Sequence, residues 1–200
     1  MQSNTPATSR TAASRAAAVA RRAAGASWKP ALFFALLWVS SAAGAIPIPG
    51  TPVPITLQTF VVMLAGLMLT WRQAGASVAA YLAAGAAGLP VFAGGSSIMA
   101  LFGPSAGFLL GFLPGVVVIA LVKGRSNGRD IKATALTAVR YLAASVLGGV
   151  VVVYAFGFIV QSAMTGAPLA AVALASMGFV IGDAVKAVVA SLVAAGLARL

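Results

Sequence analysis

Asp183 and Lys186 have the clearest capacity for chemistry in this sequence. They lie three apart in the otherwise uncharged run ASMGFVIGDAVKAVVA over 175–190. That separation puts both side chains on one face of a helix. An ionisable group in so apolar a run is costly, at least ~2.5–3.5 kcal/mol on insertion scales, so each needs a partner. One reading is an internal salt bridge that only neutralises itself. Buried ion pairs are weak sources of stability, however, and apolar replacements often serve as well. A ligand site gives a better reason to keep both. A carboxylate accepts from N–H groups and an ammonium attracts a carboxylate, so the pair suits a small amphoteric or acidic molecule. Other polar candidates are few: Thr56, Gln58 and Thr59 in one stretch, Ser96 and Ser97 in a second, and Ser105 after Gly103-Pro104. Tyr81, Phe92, Phe102 and Phe108 can supply an apolar wall.

The rest of the composition says what must hold these residues. Of the 200 residues, 61% are hydrophobic and 8% charged, against roughly 25% charged in a soluble domain. Such a chain cannot cover a water-exposed surface, so membrane lipid is its solvent. Thirteen basic residues face two acidic ones, Asp130 and Asp183. The basic residues sit in short polar segments between apolar stretches and form no stripe for a polyanion, so no nucleic acid is expected. Without cysteine or histidine the chain lacks disulfides, thiolate chemistry, the usual zinc ligands and a histidine base. No G-x-x-x-x-G-K-[ST] loop occurs, so energy for any driven step must come from a partner or a gradient. Neither enzymatic activity nor a cofactor is expected.

Residues 1–28 are rich in Ala, Ser and Arg and contain no acid. They read as a basic cytoplasmic tail ahead of a membrane domain over 29–200; a transit peptide is the competing reading. Three long charge-free stretches follow, each too long for one membrane helix of about 20 residues. Prolines 47, 49, 52 and 54 split the first. The run GLPVFAGGSS over 88–97 with Gly103-Pro104 splits the second, and TGAP over 165–168 the third. The expected fold is all-α and polytopic, with six transmembrane helices at about 31–46, 55–70, 74–88, 105–122, 135–160 and 169–198. Pro114 is expected to kink the fourth.

Charge placement orients these helices. Basic residues lie before the first helix, at Arg72, across 123–140 and at Arg199, while the loops 46–55, 89–104 and 161–169 are uncharged. The positive-inside rule then puts both termini in the cytoplasm and the uncharged loops outside. Two of these loops, rich in Pro, Gly, Ser and Thr, read as the walls and lid of a pocket rather than as plain turns.

Several stretches resemble the BioY family, the biotin-specific substrate-capture (S) components of energy-coupling factor (ECF) transporters. They are PVPITLQTF over 52–60, LAG over 64–66, YLAAGAAGLPVFAGG over 81–95, GPSAGFLLGF over 103–112 and GDAVKA over 182–187. The resemblance spans about residues 30–198. It implies six helices, biotin held from the outer side, and association with a transmembrane coupling protein and a pair of ABC-type ATPases. It implies that Asp183 and Lys186 contribute to biotin binding. It also implies that Ala31 and Ala35, an A-x-x-x-A pair of the kind that lets helices approach closely, meet the coupling protein. One element departs: the family's usual Gly-Pro-Thr-Gly-Gly-Tyr reads GPSAGF over 103–108 here, without a threonine methyl, a glycine and a phenolic hydroxyl. A proton-coupled carrier of another small amphoteric solute, using Asp183, is the alternative reading. A structural subunit without ligand is a third.

Overall fold

The computed structural model describes residues 28–47, 49–126 and 130–198. The tail expected over 1–28 lies outside these residues except for Trp28. Helices account for most of the described chain, and the only β-pairing among those residues is two isolated bridges.

Helix α1 (28–42) has Pro30 in its first turn, where a missing amide costs nothing. Phe33, Leu37, Ser40 and Ser41 face the protein, while Leu32, Leu36, Trp38 and Val39 face out. The helix stops before the expected Ile46. Gly44 takes a φ of 121°, and Ile46 pairs with Ile55 through N···O contacts of 2.9 and 2.8 Å. The prolines are thus held in a closed loop, and the second helix begins after it. Helix α2 (Gln58–Met68) has 11 residues, about 16 Å at 1.5 Å per residue, shorter than the span expected. Its end is held from another helix: Lys123 Nζ donates to the carbonyls of Gly66, Leu67 and Leu69 at 3.0, 2.8 and 2.6 Å.

Helix α3 (Trp71–Ala86) starts earlier than expected because Thr70 and Gln73 form a capping box. Two short 3₁₀ turns, Ala93–Gly95 and Ile98–Phe102, carry the chain to α4 (Ala106–Val122). Pro114 lies inside α4, which continues to Val122. Gly107, Gly111 and Gly115 form a stripe four residues apart facing α5. A Cβ at Gly115 would stand 2.6 Å from the Gly148 carbonyl.

Helix α5 (Ile131–Thr165) runs for 35 residues, longer at both ends than expected. Asp130 caps it by accepting from the Ala133 amide at 2.6 Å, and Gly166 at φ 70° closes it. Its middle, Val146–Val152, widens to π-helix beside the glycine stripe. The single last helix expected over 169–198 is two: α6 (Leu169–Ala175) and α7 (Met177–Leu197), broken at Ser176. Seven α-helices are therefore described where six were expected. Two of them, α5 and α7, are long and apolar enough to cross a membrane by length and composition. Large apolar side chains stand on the outside, among them Ile159, Leu174, Ile181 and Leu192 at 59–75% exposure, the arrangement of a protein solvated by lipid.

Candidate functional site

Asp183 sits in the second turn of α7, 5% exposed, and meets donors from three helices. Its Oδ1 accepts from Thr59 Oγ1 of α2 at 2.8 Å and from Lys186 Nζ at 2.8 Å. Its Oδ2 accepts from the Tyr154 hydroxyl of α5 at 2.7 Å. Two carboxylate oxygens offer about four acceptor directions; three are taken, and one remains on Oδ2. Lys186 Nζ also donates to the Thr56 carbonyl at 2.7 Å and to Thr59 Oγ1 at 3.0 Å. All three of its N–H bonds are therefore used within the protein. This is the one ion pair among the described residues.

A cavity of about 140 Å³ opens beside this cluster, a concave and mostly apolar site with a few convergent polar groups, as small-molecule sites are. The closed loop supplies one wall through Val53, Pro54, Ile55 and Thr56. Thr56, Gln58, Thr59, Phe92, Ser96, Ser105, Phe108, Asp183 and Lys186, all picked out from sequence, line it. The cavity lies where α2 and α4 begin and where the loops without charge gather. Thr51 in the closed loop accepts from Gln161 Nε2 of α5 at 3.3 Å, which ties that loop to the helix behind it.

Tyr81 and Ser97 do not reach the cavity surface. Tyr81 is fully buried: it accepts from Gln58 Nε2, donates to the Val91 carbonyl at 2.8 Å and packs edge-on against Phe92 at 5.2 Å. It braces two residues of the wall. Ser97 immediately precedes the second 3₁₀ turn and does not line the cavity, whereas Ser96 does. Phe102 is 68% exposed on the outside. Sequence reasoning missed Tyr154, Phe112 and Phe179, which line the cavity. Tyr154 was findable in principle, as the one phenol in the apolar stretch between Leu142 and Val160. Phe108, where the resembling family has tyrosine, packs edge-on against Tyr154, Phe158 and Phe179 at 6.0–6.2 Å. The hydroxyl missing at Phe108 thus has a phenol beside it from another helix. Ala31 and Ala35, the expected partner contact, are exposed on the outer face of α1.

Comparison with known proteins gives one answer. The chain is 37% identical over 163 residues to the biotin transporter BioY of Rhizobium etli, covering 81% of this chain and 87% of that one. It is 39% identical over 182 residues to that of Rhodobacter capsulatus, covering 84% and 90%. It is 36% identical over 175 residues to that of Thermotoga maritima, covering 86% and 95%. Among solved structures it superposes with a TM-score of 0.74, at 28% identity and over 90% of this chain and 92% of the other, on the S-component for biotin from an ECF-type ABC transporter. With transporters as relatives and apolar helices as its outer surface, it is a membrane protein. The sequence model of the BioY family matches residues 14–200, and the chain belongs to that family.

Proposed function

We propose that this chain is the S component of an ECF-type transporter and takes up biotin through the cavity beside Asp183. The observation that carries the reading is the open acceptor direction on Asp183 Oδ2, at the edge of a mostly apolar cavity. Biotin brings two ureido N–H donors at one end, an apolar bicyclic body, and a carboxylate at the other. A ureido N–H donates to Oδ2 as a charge-assisted hydrogen bond. Phe92, Phe108, Phe112 and Phe179 enclose the body, and the carboxylate end lies toward Ser96 and Ser105. Lys186 holds Asp183 and Thr59 in register rather than meeting the ligand carboxylate. The proton-carrier reading is the weaker one. A carrier must release its acid in each cycle, whereas Asp183 is fixed by three donors.

The same reading gives six membrane crossings, with α6 and α7 together making the last. Both termini and the 123–140 segment face the cytoplasm, and the cavity opens outward. The exposed Ala31 and Ala35 receive the coupling protein, which works with a pair of ATPases. Ala35→Trp is expected to prevent co-purification of the coupling protein while leaving biotin binding intact. For the function itself, the test is biotin carried through purification from cells grown with the vitamin and detected by mass spectrometry after denaturation. Retained biotin is the expected result; protein that emerges without biotin and binds none on titration contradicts the proposal.

A further inference from the structure

A second cleft lies at the opposite ends of the same helices. Its walls come from the end of α2 (Leu67, Met68), the turn after α4 (Lys123–Ser126), Tyr141 of α5 and the end of α7 (Leu197). The turn is built to a shape. Gly124 takes a φ of 69°, open to glycine at no steric cost. The Arg140 guanidinium lies over it, with Nη2 donating to the carbonyls of Lys123 and Arg125 at 3.0 and 3.1 Å. Lys123, Arg125 and Arg140 bring three cations to this turn, and neither acidic side chain of the sequence pairs with them. Asp183 is bonded to Lys186, and Asp130 caps α5. No other acidic residue exists in the sequence. Tyr141, only 4% exposed, lines the cleft and brings a phenol to its wall. Two of the lining side chains, Met68 and Leu197, are apolar and exposed, at 44 and 47%. Its occupant must therefore be anionic at one end and greasy at the other.

We propose that this cleft binds the headgroup of an anionic phospholipid. Arg125 and the Ser126 and Tyr141 hydroxyls take the phosphate, and the acyl chains run down past Met68 and Leu197. Basic pockets between membrane helices are suited to such headgroups. The inference needs only that the chain sits in a membrane and is independent of the biotin reading. The test is native mass spectrometry of the full chain in detergent with added dioleoyl phosphatidylglycerol or dioleoyl phosphatidylcholine, for wild type, Arg125→Gln and Tyr141→Phe. Monodisperse elution certifies each variant's fold. The expected result is a wild-type preference for phosphatidylglycerol of about tenfold, the scale set by about 1 kcal/mol per cation near a lipid surface, and its loss in Arg125→Gln. Tyr141→Phe should reduce it, and inorganic phosphate should not compete. Equal retention of the two lipids, or an unchanged preference in Arg125→Gln, overturns the proposal. So does full competition by inorganic phosphate, which assigns a soluble anion instead. If Arg125→Gln keeps the lipid preference and loses only co-purifying coupling subunits, the cleft is a protein contact and the lipid proposal fails.

Discussion

Lys186 has three N–H donors, and the folded chain uses all of them on Asp183, Thr59 and the Thr56 carbonyl. A ligand carboxylate could reach it only by displacing one of these. In the proposed site its place is therefore behind Asp183, holding the acceptor for a ureido group. Truncating one member of a buried charged pair costs about 2–5 kcal/mol of binding. Lys186→Ala should thus weaken biotin binding by more than roughly tenfold, and should weaken biotin amide equally. A markedly larger loss for biotin than for its amide would put Lys186 at the carboxylate. The Asp183–Lys186 pair was legible in the sequence because charge is conspicuous in an apolar run. Tyr154 stood out only as the one phenol in its apolar stretch, and a tyrosine among valines and phenylalanines reads as packing until the carboxylate it donates to is seen across the helix interface.

Among the elements, the α4–α5 contact depends on the absence of side chains. Gly107 and Gly115 of α4 face the backbone of α5 so closely that any Cβ forces the helices apart. Overpacking of this kind costs typically about 1–3 kcal/mol, here against backbone that cannot yield. Gly115→Val should lower thermal stability sharply or abolish monodisperse protein. Gly75 of α3 is the control: a Cβ there meets Val117 Cγ2 at 3.5 Å, an ordinary contact. Gly75→Ala should leave stability unchanged or raise it by up to about 1 kcal/mol. Loss of both variants, or of neither, in a fluorescence-detected melting series would remove the stripe's special role. Helix positions were legible because prolines and charges punctuate the chain, but several ends were not. Helix α1 gives way at Gly44 to the Ile46–Ile55 bridge, a tertiary pairing without a local signal. The break at Ser176 and the π-helical turn at Val146–Val152 carry no proline, and apolar periodicity is blind to both because the runs VLGGVVV over 146–152 and LAAVALA over 169–175 are apolar throughout.

For the whole molecule, the charge pattern and the two clefts agree. The cavity with Asp183 lies where α2 and α4 begin, among loops without charge, and the basic cleft lies where they end. On the topology proposed from the positive-inside rule, the first faces outward and the second the cytoplasm. Single cysteines at Ser97 and Ser126, treated with an impermeant thiol reagent on intact cells, should label at 97 and not at 126. The reverse pattern would invert the topology and place the cavity on the wrong side for uptake.

The measurement closest to the central claim is calorimetric titration of biotin into purified wild type and Asp183→Asn. The asparagine keeps the shape, removes the charge, and turns N–H donors toward both the Tyr154 hydroxyl and the ureido N–H groups. Binding should weaken by more than roughly tenfold, about 1.4 kcal/mol, with the variant folded and monodisperse. Wild-type affinity in Asp183→Asn would take Asp183 out of the site and contradict the account.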